Sequence, residues 1–507
     1  MSRGIPAFDR ILGEPADVCL IVEGCYPHVA GGVSTWVDWL FRSLPDTRFA
    51  AVSLVAPGDG RTSRYAFPPN LVRFGEIVMG GPSGTVRRPR QAAGASADRL
   101  ATLLVNFVRT GELKTLADIN SLVNDRSHPV PLPALTEGEF AWELCREAYR
   151  QLMPHGSFKD FFWAWQALMG GLFAVLKAPL PPARTYHTIS TGYAGLLAAR
   201  AAIEGAEKVL ITEHGIYTNE RRIEILMADW VVDTVDKGIA IDDVRMDLRD
   251  LWITAFESYA RCCYAACNTI TTLFSDNQPM QRLLGARDDQ LHVIPNGIEL
   301  DRFGTVPPVA LGSRPTAALI GRVVPIKDIK TFIQAADLIR REIPDAHAVI
   351  AGSDEENPGY AAECREMVAR LGLQDTLTFL GQVDVRTLLA TTHVVVLTSL
   401  SEAQPLTVLE AGAAGRPCVT TNVGACREMI EGEPDGSPLT GRGGFVTDIL
   451  AADQIADAVV KLLKDPELRD TLGQNLRRRV HAEYSSELSA GRYRALYEGR
   501  TNVEATA

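Results

Sequence analysis

Thr316-Ala317-Ala318-Leu319-Ile320-Gly321-Arg322-Val323-Val324-Pro325-Ile326-Lys327-Asp328 reads as a short apolar strand running into a breaker-rich loop that carries two cations. A strand without polar alternation is buried on both faces, which marks a parallel sheet covered by helices. Downstream the pattern repeats with great regularity. Strands are expected at 316–320, 347–351, 377–379, 394–398 and 418–421, with helices near 328–343, 358–371, 384–390 and 405–414. This alternation predicts an α/β, doubly wound Rossmann-like domain over 312–482, whose ligands bind at the carboxyl ends of the strands. The tail, about 451–498, has helical spacing, and 483–507 is expected to form a C-terminal helix that crosses back to the first domain.

Upstream a second domain of the same class is expected over 1–305. An apolar run at 17–23 meets the loop Tyr26-Pro27-His28-Val29-Ala30-Gly31-Gly32-Val33. Helical spacing follows over 34–44, with Val33, Trp36, Val37, Leu40 and Phe41 on one side, and then a strand at 49–56. That is a βαβ unit. Strands resume at 184–190, 209–212, 269–273 and 291–294, and the interval 80–180 reads as a helical insertion bounded by proline-rich 129–133 and 179–182. Three prolines and two glycines make 303–315 the expected linker.

Composition narrows the function classes. The chain has 507 residues, 46% hydrophobic and 22% charged, with formal net charge −11. It is globular, and no basic excess points to nucleic acid. The nearest basic cluster, Arg87-Arg88-Pro89-Arg90, is read as a solvated loop. Residues 1–15 lack the apolar core of a signal peptide. The longest apolar neighbourhood, 161–176, contains Gln166 and is shorter than the ~18–20 residues a bilayer span needs. A cytoplasmic location is therefore expected. The nine cysteines form no CxxC pair, and the cluster Cys262, Cys263 and Cys267 is expected to be buried packing.

Four features carry chemistry. In Ser401-Glu402-Ala403-Gln404-Pro405-Leu406-Thr407-Val408-Leu409-Glu410, Glu402 follows a buried strand and Pro405 stands where a helix begins. Glu402 and Glu410 on one helix would diverge by roughly 80°, but a loop-borne Glu402 escapes that limit. The two carboxylates can each take a pair of sugar hydroxyls, and free amides at the helix start suit a phosphate. Arg322 and Lys327 in one loop can converge on a diphosphate and neutralise a leaving group; equally, they can be two solvated cations. Gly31-Gly32 lets backbone amides approach a phosphate or sugar, or simply makes a tight turn. His214, just after a strand, can touch a reacting sugar or be structural, and His187 has the same ambiguity with a weaker case. Glu220, Arg221 and Arg222 follow the His214 loop as acceptor-side or solvated groups.

In this order the features resemble the family 4 retaining glycosyltransferases of the GT-B fold. The matching residues are Gly31-Gly32, His214, Pro295-Asn296-Gly297-Ile298, Gly321-Arg322 with Lys327, and Glu402 with Glu410. Three further stretches resemble the branch serving Pel-type exopolysaccharide synthesis: 21–36, Thr191-Gly192-Tyr193-Ala194-Gly195, and His214-Gly215-Ile216-Tyr217-Thr218-Asn219-Glu220-Arg221. The resemblance implies that Arg322 and Lys327 hold the donor diphosphate, Glu402 meets the donor hexose, and Glu410 meets the ribose. It puts Gly32, with Gly31, beside the phosphate and His214 near the transferred sugar, with Ala403, Gln404, Pro405, Leu406 and Thr407 lining the donor. It implies a UDP-sugar donor, a polysaccharide acceptor, an inner-membrane synthase complex as partner, and no metal or other cofactor. Two departures stand out: many members have Gly where this chain has Asp328, and Phe-Gly where it has Gln404-Pro405. A GT-B epimerase, a phosphorylase and a non-catalytic GT-B scaffold subunit are the competing readings.

Overall fold

The computed structural model describes residues 15–29, 31–58, 62–80, 94–125, 127, 129–228, 245–432 and 441–500. The basic cluster at 87–90 and the stretches 1–14 and 501–507 lie outside the described residues. The described chain forms two compact units. The first runs to Thr272 and adds Asn277–His292 and Tyr497–Gly499; the second takes Leu273–Asp276, Val293–Leu496 and Arg500.

The first unit is built on seven strands: β1 (Ala16–Glu23), β2 (Phe49–Val55), β3 (Leu71–Val78), β4 (Ala183–Thr188), β5 (Lys208–Glu213), β6 (Thr269–Thr272) and β7 (Leu291–Val293). They lie side by side in the order β3-β2-β1-β4-β5-β6-β7. Strands β1 and β4 pair in parallel, Leu20 opposite His187. Chain order reverses between them, so their carboxyl ends flank the switch point where ligands of such sheets bind. Helix Gly32–Ser43 buries Trp36, Val37, Leu40 and Phe41 on the face its spacing predicts.

Between β3 and β4 comes the helical insertion, with helices Gly94–Thr110, Leu113–Val123, Leu132–Thr136, Gly138–Leu152 and Phe158–Lys177. Its apolar stripes join the core of the unit through Phe107, Leu116, Leu144, Phe161 and Leu168. Phe107 stacks on Tyr259, ring centroids 6.0 Å apart, and the Ser258 hydroxyl donates to Val108 O at 2.6 Å. Gly111, at φ +69°, meets helix Leu248–Ala266, which carries Ser258 and Tyr259, so closely that a Cβ would lie 2.3 Å from Ser258 O. Cys262, Cys263 and Cys267 are buried free thiols in this region.

The second unit holds β8 (Thr316–Ile320), β9 (His347–Ala351), β10 (Leu377–Gly381), β11 (Val394–Leu397), β12 (Cys418–Thr421) and β13 (Gly444–Thr447). The order is β10-β9-β8-β11-β12-β13, and every neighbouring pair runs parallel. Here the switch point lies between β8 and β11. Helices Ala452–Lys464, Pro466–Glu483 and Ser486–Tyr497 follow.

Three differences from expectation have physical causes. Strands β3 and β13 lie outside the expected set and carry no clear apolar run. β3 holds the charges Arg73 and Glu76, which keep an edge from pairing, with Gly75 between them, and β13 is only four residues long. The proline-rich stretch 303–315 does not mark the division between units. Residues from Val293 onward cluster with the second unit, where Ile298 and Phe303 are buried in its core. Finally, β11 ends at Leu397, one residue short of the expected 398, and Glu402 stands on the loop beyond it. Among the described residues no helix is long and apolar enough to cross a membrane.

Candidate active site

In the second unit the loops leaving β8 and β11 are stitched together by backbone contacts. The Thr398 hydroxyl donates toward Lys327 O at 2.8 Å and Asp328 O at 3.0 Å, and Leu400 N–H donates to Ile326 O at 2.8 Å. On the β9 side, a Cβ on Gly352 would sit 1.9 Å from Gly321 O, so only glycine admits this approach. On the β12 side, Gly424 has φ +51° and a Cβ there would lie 2.2 Å from Glu402 O. The adjacent Ala425 N–H donates to Ala403 O at 2.8 Å. The loop carrying Glu402 is thus fixed from both sides.

Onto this frame the sequence places an ion pair. Lys327 Nζ contacts Glu402 Oε1, and the buried Ser399 hydroxyl donates to the same oxygen at 2.6 Å. An ammonium has three donors, so one bond to Glu402 leaves two for an incoming anion. Asp328 adopts the left-handed conformation (φ 45°, ψ 56°), a backbone that favours glycine. Its side chain accepts from Thr331 N and caps helix Ile329–Glu342.

Helix Leu406–Ala413 begins beside the pair. Its N-cap is Pro405, with no capping side chain, so the first amides, those of Leu406 and Thr407, have no intrahelical acceptor. The Thr407 hydroxyl donates to Ile320 O at 3.4 Å, tying the helix start to β8. Gln404 is buried, and its Oε1 accepts Asn296 N–H at 2.6 Å. Deeper in the helix, burial pushes the Glu410 carboxyl up to about 7, opposed by the charge of Arg302. Arg322 is exposed and paired with Glu356 beyond β9. The structure therefore joins Lys327 and Glu402 by direct contact and places Arg322 on the same loop with a different partner.

The remaining expected residues belong to the first unit. Gly31 is the N-cap of helix Gly32–Ser43, and a Cβ at Gly31 or Gly32 would meet nothing within 4 Å. No protein neighbour demands glycine there. His214 follows β5, and burial lowers its imidazole to about 4, so the ring is neutral near pH 7. Both of its ring nitrogens are buried without a hydrogen-bond partner, while Trp36 stands edge-on at 4.8 Å. His187 differs: Nδ1 lies 2.7 Å from the Tyr497 hydroxyl and Nε2 2.9 Å from Thr212 Oγ1. It is a satisfied internal group, which separates it from His214. Arg221 is taken by Glu224 at 2.6 Å. Among the described residues no group of three or more His, Cys, Asp or Glu side chains could hold a metal ion.

Ser399 and Glu356 lie outside the expected site residues, and Asn296 was expected only as part of Pro295-Asn296-Gly297-Ile298, without a partner. Ser399 lies three residues before Glu402 and was legible as a hydroxyl ending an apolar strand. Glu356 and Asn296 are 34 and 108 residues from their partners, and only sheet order brings them near.

Comparison with known proteins agrees with this architecture. Residues 309–479 match the family Glycosyl transferases group 1. Residues 16–289, more than half of the chain, match the family described as Domain of unknown function (DUF3492). The chain is similar to N-acetyl-alpha-D-glucosaminyl L-malate synthase of Bacillus anthracis, 31% identical over 173 residues, which cover 34% of this chain and 42% of that protein. It is also similar to GDP-mannose-dependent alpha-(1-6)-phosphatidylinositol monomannoside mannosyltransferase of Mycobacterium tuberculosis (strain CDC 1551 / Oshkosh). There the identity is 26% over 322 residues, covering 59% of this chain and 73% of that protein. The match thus spans less than half of the first relative's length. The solved structure of sucrose-phosphate synthase from Thermosynechococcus elongatus superposes with TM-score 0.56 at 18% identity, covering 95% of this chain and 98% of that one. The fold is GT-B; the chain belongs to the DUF3492 family and carries a group 1 glycosyltransferase domain behind that region.

Proposed function

We propose that this protein is a retaining glycosyltransferase that moves a hexose from a nucleotide diphosphate sugar to an acceptor hydroxyl. The observation that carries the reading is the Lys327–Glu402 pair, held by Ser399 at the switch point of β8 and β11 beside an uncapped helix start. A diphosphate finds there an ammonium with spare donors and backbone amides, and Arg322 on the same loop exchanges Glu356 for phosphate oxygens. Together they stabilise the charge that grows on the leaving group as the glycosidic bond breaks. Glu402 receives hydroxyls of the donor hexose and Glu410 those of the ribose. The resemblance assigns Gly31 and Gly32 to the phosphate or sugar and neutral His214 to the transferred sugar. Attack comes from the face the leaving group departs, and the leaving phosphate takes the acceptor proton. The positive charge of Arg322, Lys327 and the helix start serves in place of a metal clamp. The donor is UDP-hexose and the acceptor a growing exopolysaccharide. This assignment rests on the resemblance to PelF, the cytosolic glycosyltransferase of Pel exopolysaccharide synthesis, which also suggests a cytoplasmic enzyme working with an inner-membrane synthase.

The test is turnover of UDP-hexoses and GDP-mannose, with and without acceptor saccharide, by the parent, Lys327→Ala and Arg322→Ala. Each variant is expected to lose roughly 10²-fold or more in kcat while melting as the parent does. Near-parental turnover of both variants would remove the assignment. Donor conversion without acceptor indicates an epimerase, and nucleotide binding without turnover a scaffold.

A further inference from the structure

The three stretches that set this chain apart in the first unit meet on one carboxylate. Glu23 ends β1 and directly precedes the loop leading to Gly31-Gly32. Its Oε2 accepts the Ser190 hydroxyl at 3.2 Å and Ala194 N–H at 3.1 Å, and its Oε1 accepts the Tyr217 hydroxyl at 3.1 Å. Ala194 stands in the first turn of helix Tyr193–Ile203, whose N-cap, Gly192, offers no side chain. Glu23 thus caps that helix from a neighbouring strand, where a negative charge is favourable. The fit is tight: a Cβ at Gly192 would come 2.7 Å from the Tyr217 hydroxyl and 2.8 Å from Glu23 Oε2. Tyr193 reaches the other way, its hydroxyl 3.3 Å from Ala167 O and Leu168 O in the insertion.

We infer that Glu23 is a positioning residue. It clamps the exits of β1 and β4 and the start of helix Tyr217–Met227, and so sets where the Gly31-Gly32 loop and His214 stand on the carboxyl edge of the first sheet. The inference rests on the transferase reading for its kinetic meaning but not for its geometry. Glu23 touches no reacting atom; it acts through the segments it holds. Its charge is not essential to the clamp. In Glu23→Gln the amide oxygen can take both Ser190 and Ala194, and the Tyr217 hydroxyl can turn to accept from the new NH2 group, since a hydroxyl both donates and accepts.

The experiment compares Glu23→Ala, Glu23→Gln and Tyr217→Phe in the full chain. Glu23→Ala is expected to lower kcat/KM for the acceptor by about 10²-fold, as misplacement of about 1 Å does. Donor affinity measured by calorimetry with the UDP-sugar should fall by less than this, because the donor cations belong to the second unit and only the Gly31-Gly32 and His214 side of the donor depends on Glu23. Glu23→Gln should restore most of the loss, and Tyr217→Phe should fall between. Equal loss in Glu23→Gln and Glu23→Ala, or parental behaviour of Glu23→Ala, overturns the inference. If Glu23→Ala does not fold, the graded pair Glu23→Gln and Tyr217→Phe decides. If the parent turns over no nucleotide sugar, the transferase reading falls, and amide hydrogen exchange at 190–197 and 216–220 still tests the clamp. Faster exchange in Tyr217→Phe than in the parent supports it, and identical exchange refutes it.

Discussion

The side-chain oxygen of Gln404 accepts the backbone N–H of Asn296 at 2.6 Å, so the loop that carries Glu402 is bound to the segment where the chain enters the second unit. The bond fixes the amide: turned over, it would set NH2 against N–H. Its Nε2 is left buried without a partner. Gln404→Leu removes the acceptor of this half-buried N–H. An expected loss of about 1 kcal/mol follows, because the lost bond to a half-buried donor is partly offset by removal of the buried, unpartnered Nε2, read as a lower urea midpoint for the second unit. A midpoint equal to the parent's would show that Asn296 finds another acceptor.

Asp328 combines a cost and a benefit. The left-handed backbone disfavours a side chain by roughly 1–2 kcal/mol, while the cap on Thr331 N contributes about 1 kcal/mol. Asp328→Gly gives up the cap and relieves the backbone, so stability should equal the parent's or exceed it by up to about 1 kcal/mol. Asp328→Ala loses the cap and keeps the strain, and should destabilise by about 1 kcal/mol. Chemical denaturation of the two variants separates these outcomes; equal stabilities would mean that φ 45° is not maintained in solution.

Glu410 couples stability to pH. Its carboxyl titrates at about 7 in the fold, raised by burial from an ordinary value of 4.5. A raised carboxyl favours the protonated folded state. The contribution is therefore complete below 4.5 and is lost as pH rises through about 7. Relative to Glu410→Gln, which cannot ionise, the parent should lose stability between about pH 5 and about pH 8. Glu213, also raised to about 7 by burial, is common to both proteins and cancels in the difference. Parallel pH profiles for parent and variant would place the Glu410 titration elsewhere.

Much of the second unit was legible before any coordinates. Strands β8, β9 and β12 fall where their apolar runs begin and end, because a strand buried on both faces writes its burial into consecutive residues. The uncapped helix start at Pro405 was legible too, since proline announces the first turn. What stayed hidden involves partners. Strand β3 carries the polar residues of a surface, β13 is too short to write a pattern, and the choice between His187 and His214 depends on Tyr497, which lies 310 residues from His187.

The order of elements, the glycine and cation loops and the separate helical insertion were set by local chemistry: periodicity, breakers and the side chains themselves act within a few residues. Tertiary structure alone decided that Lys327 meets Glu402 across 75 residues while Arg322 turns to Glu356. It also made Glu23 the shared acceptor of one loop and two helix starts. Those pairings follow from strand order in parallel sheets, where crossover connections juxtapose loops distant in the chain, and no local pattern encodes a neighbour that arrives by crossover.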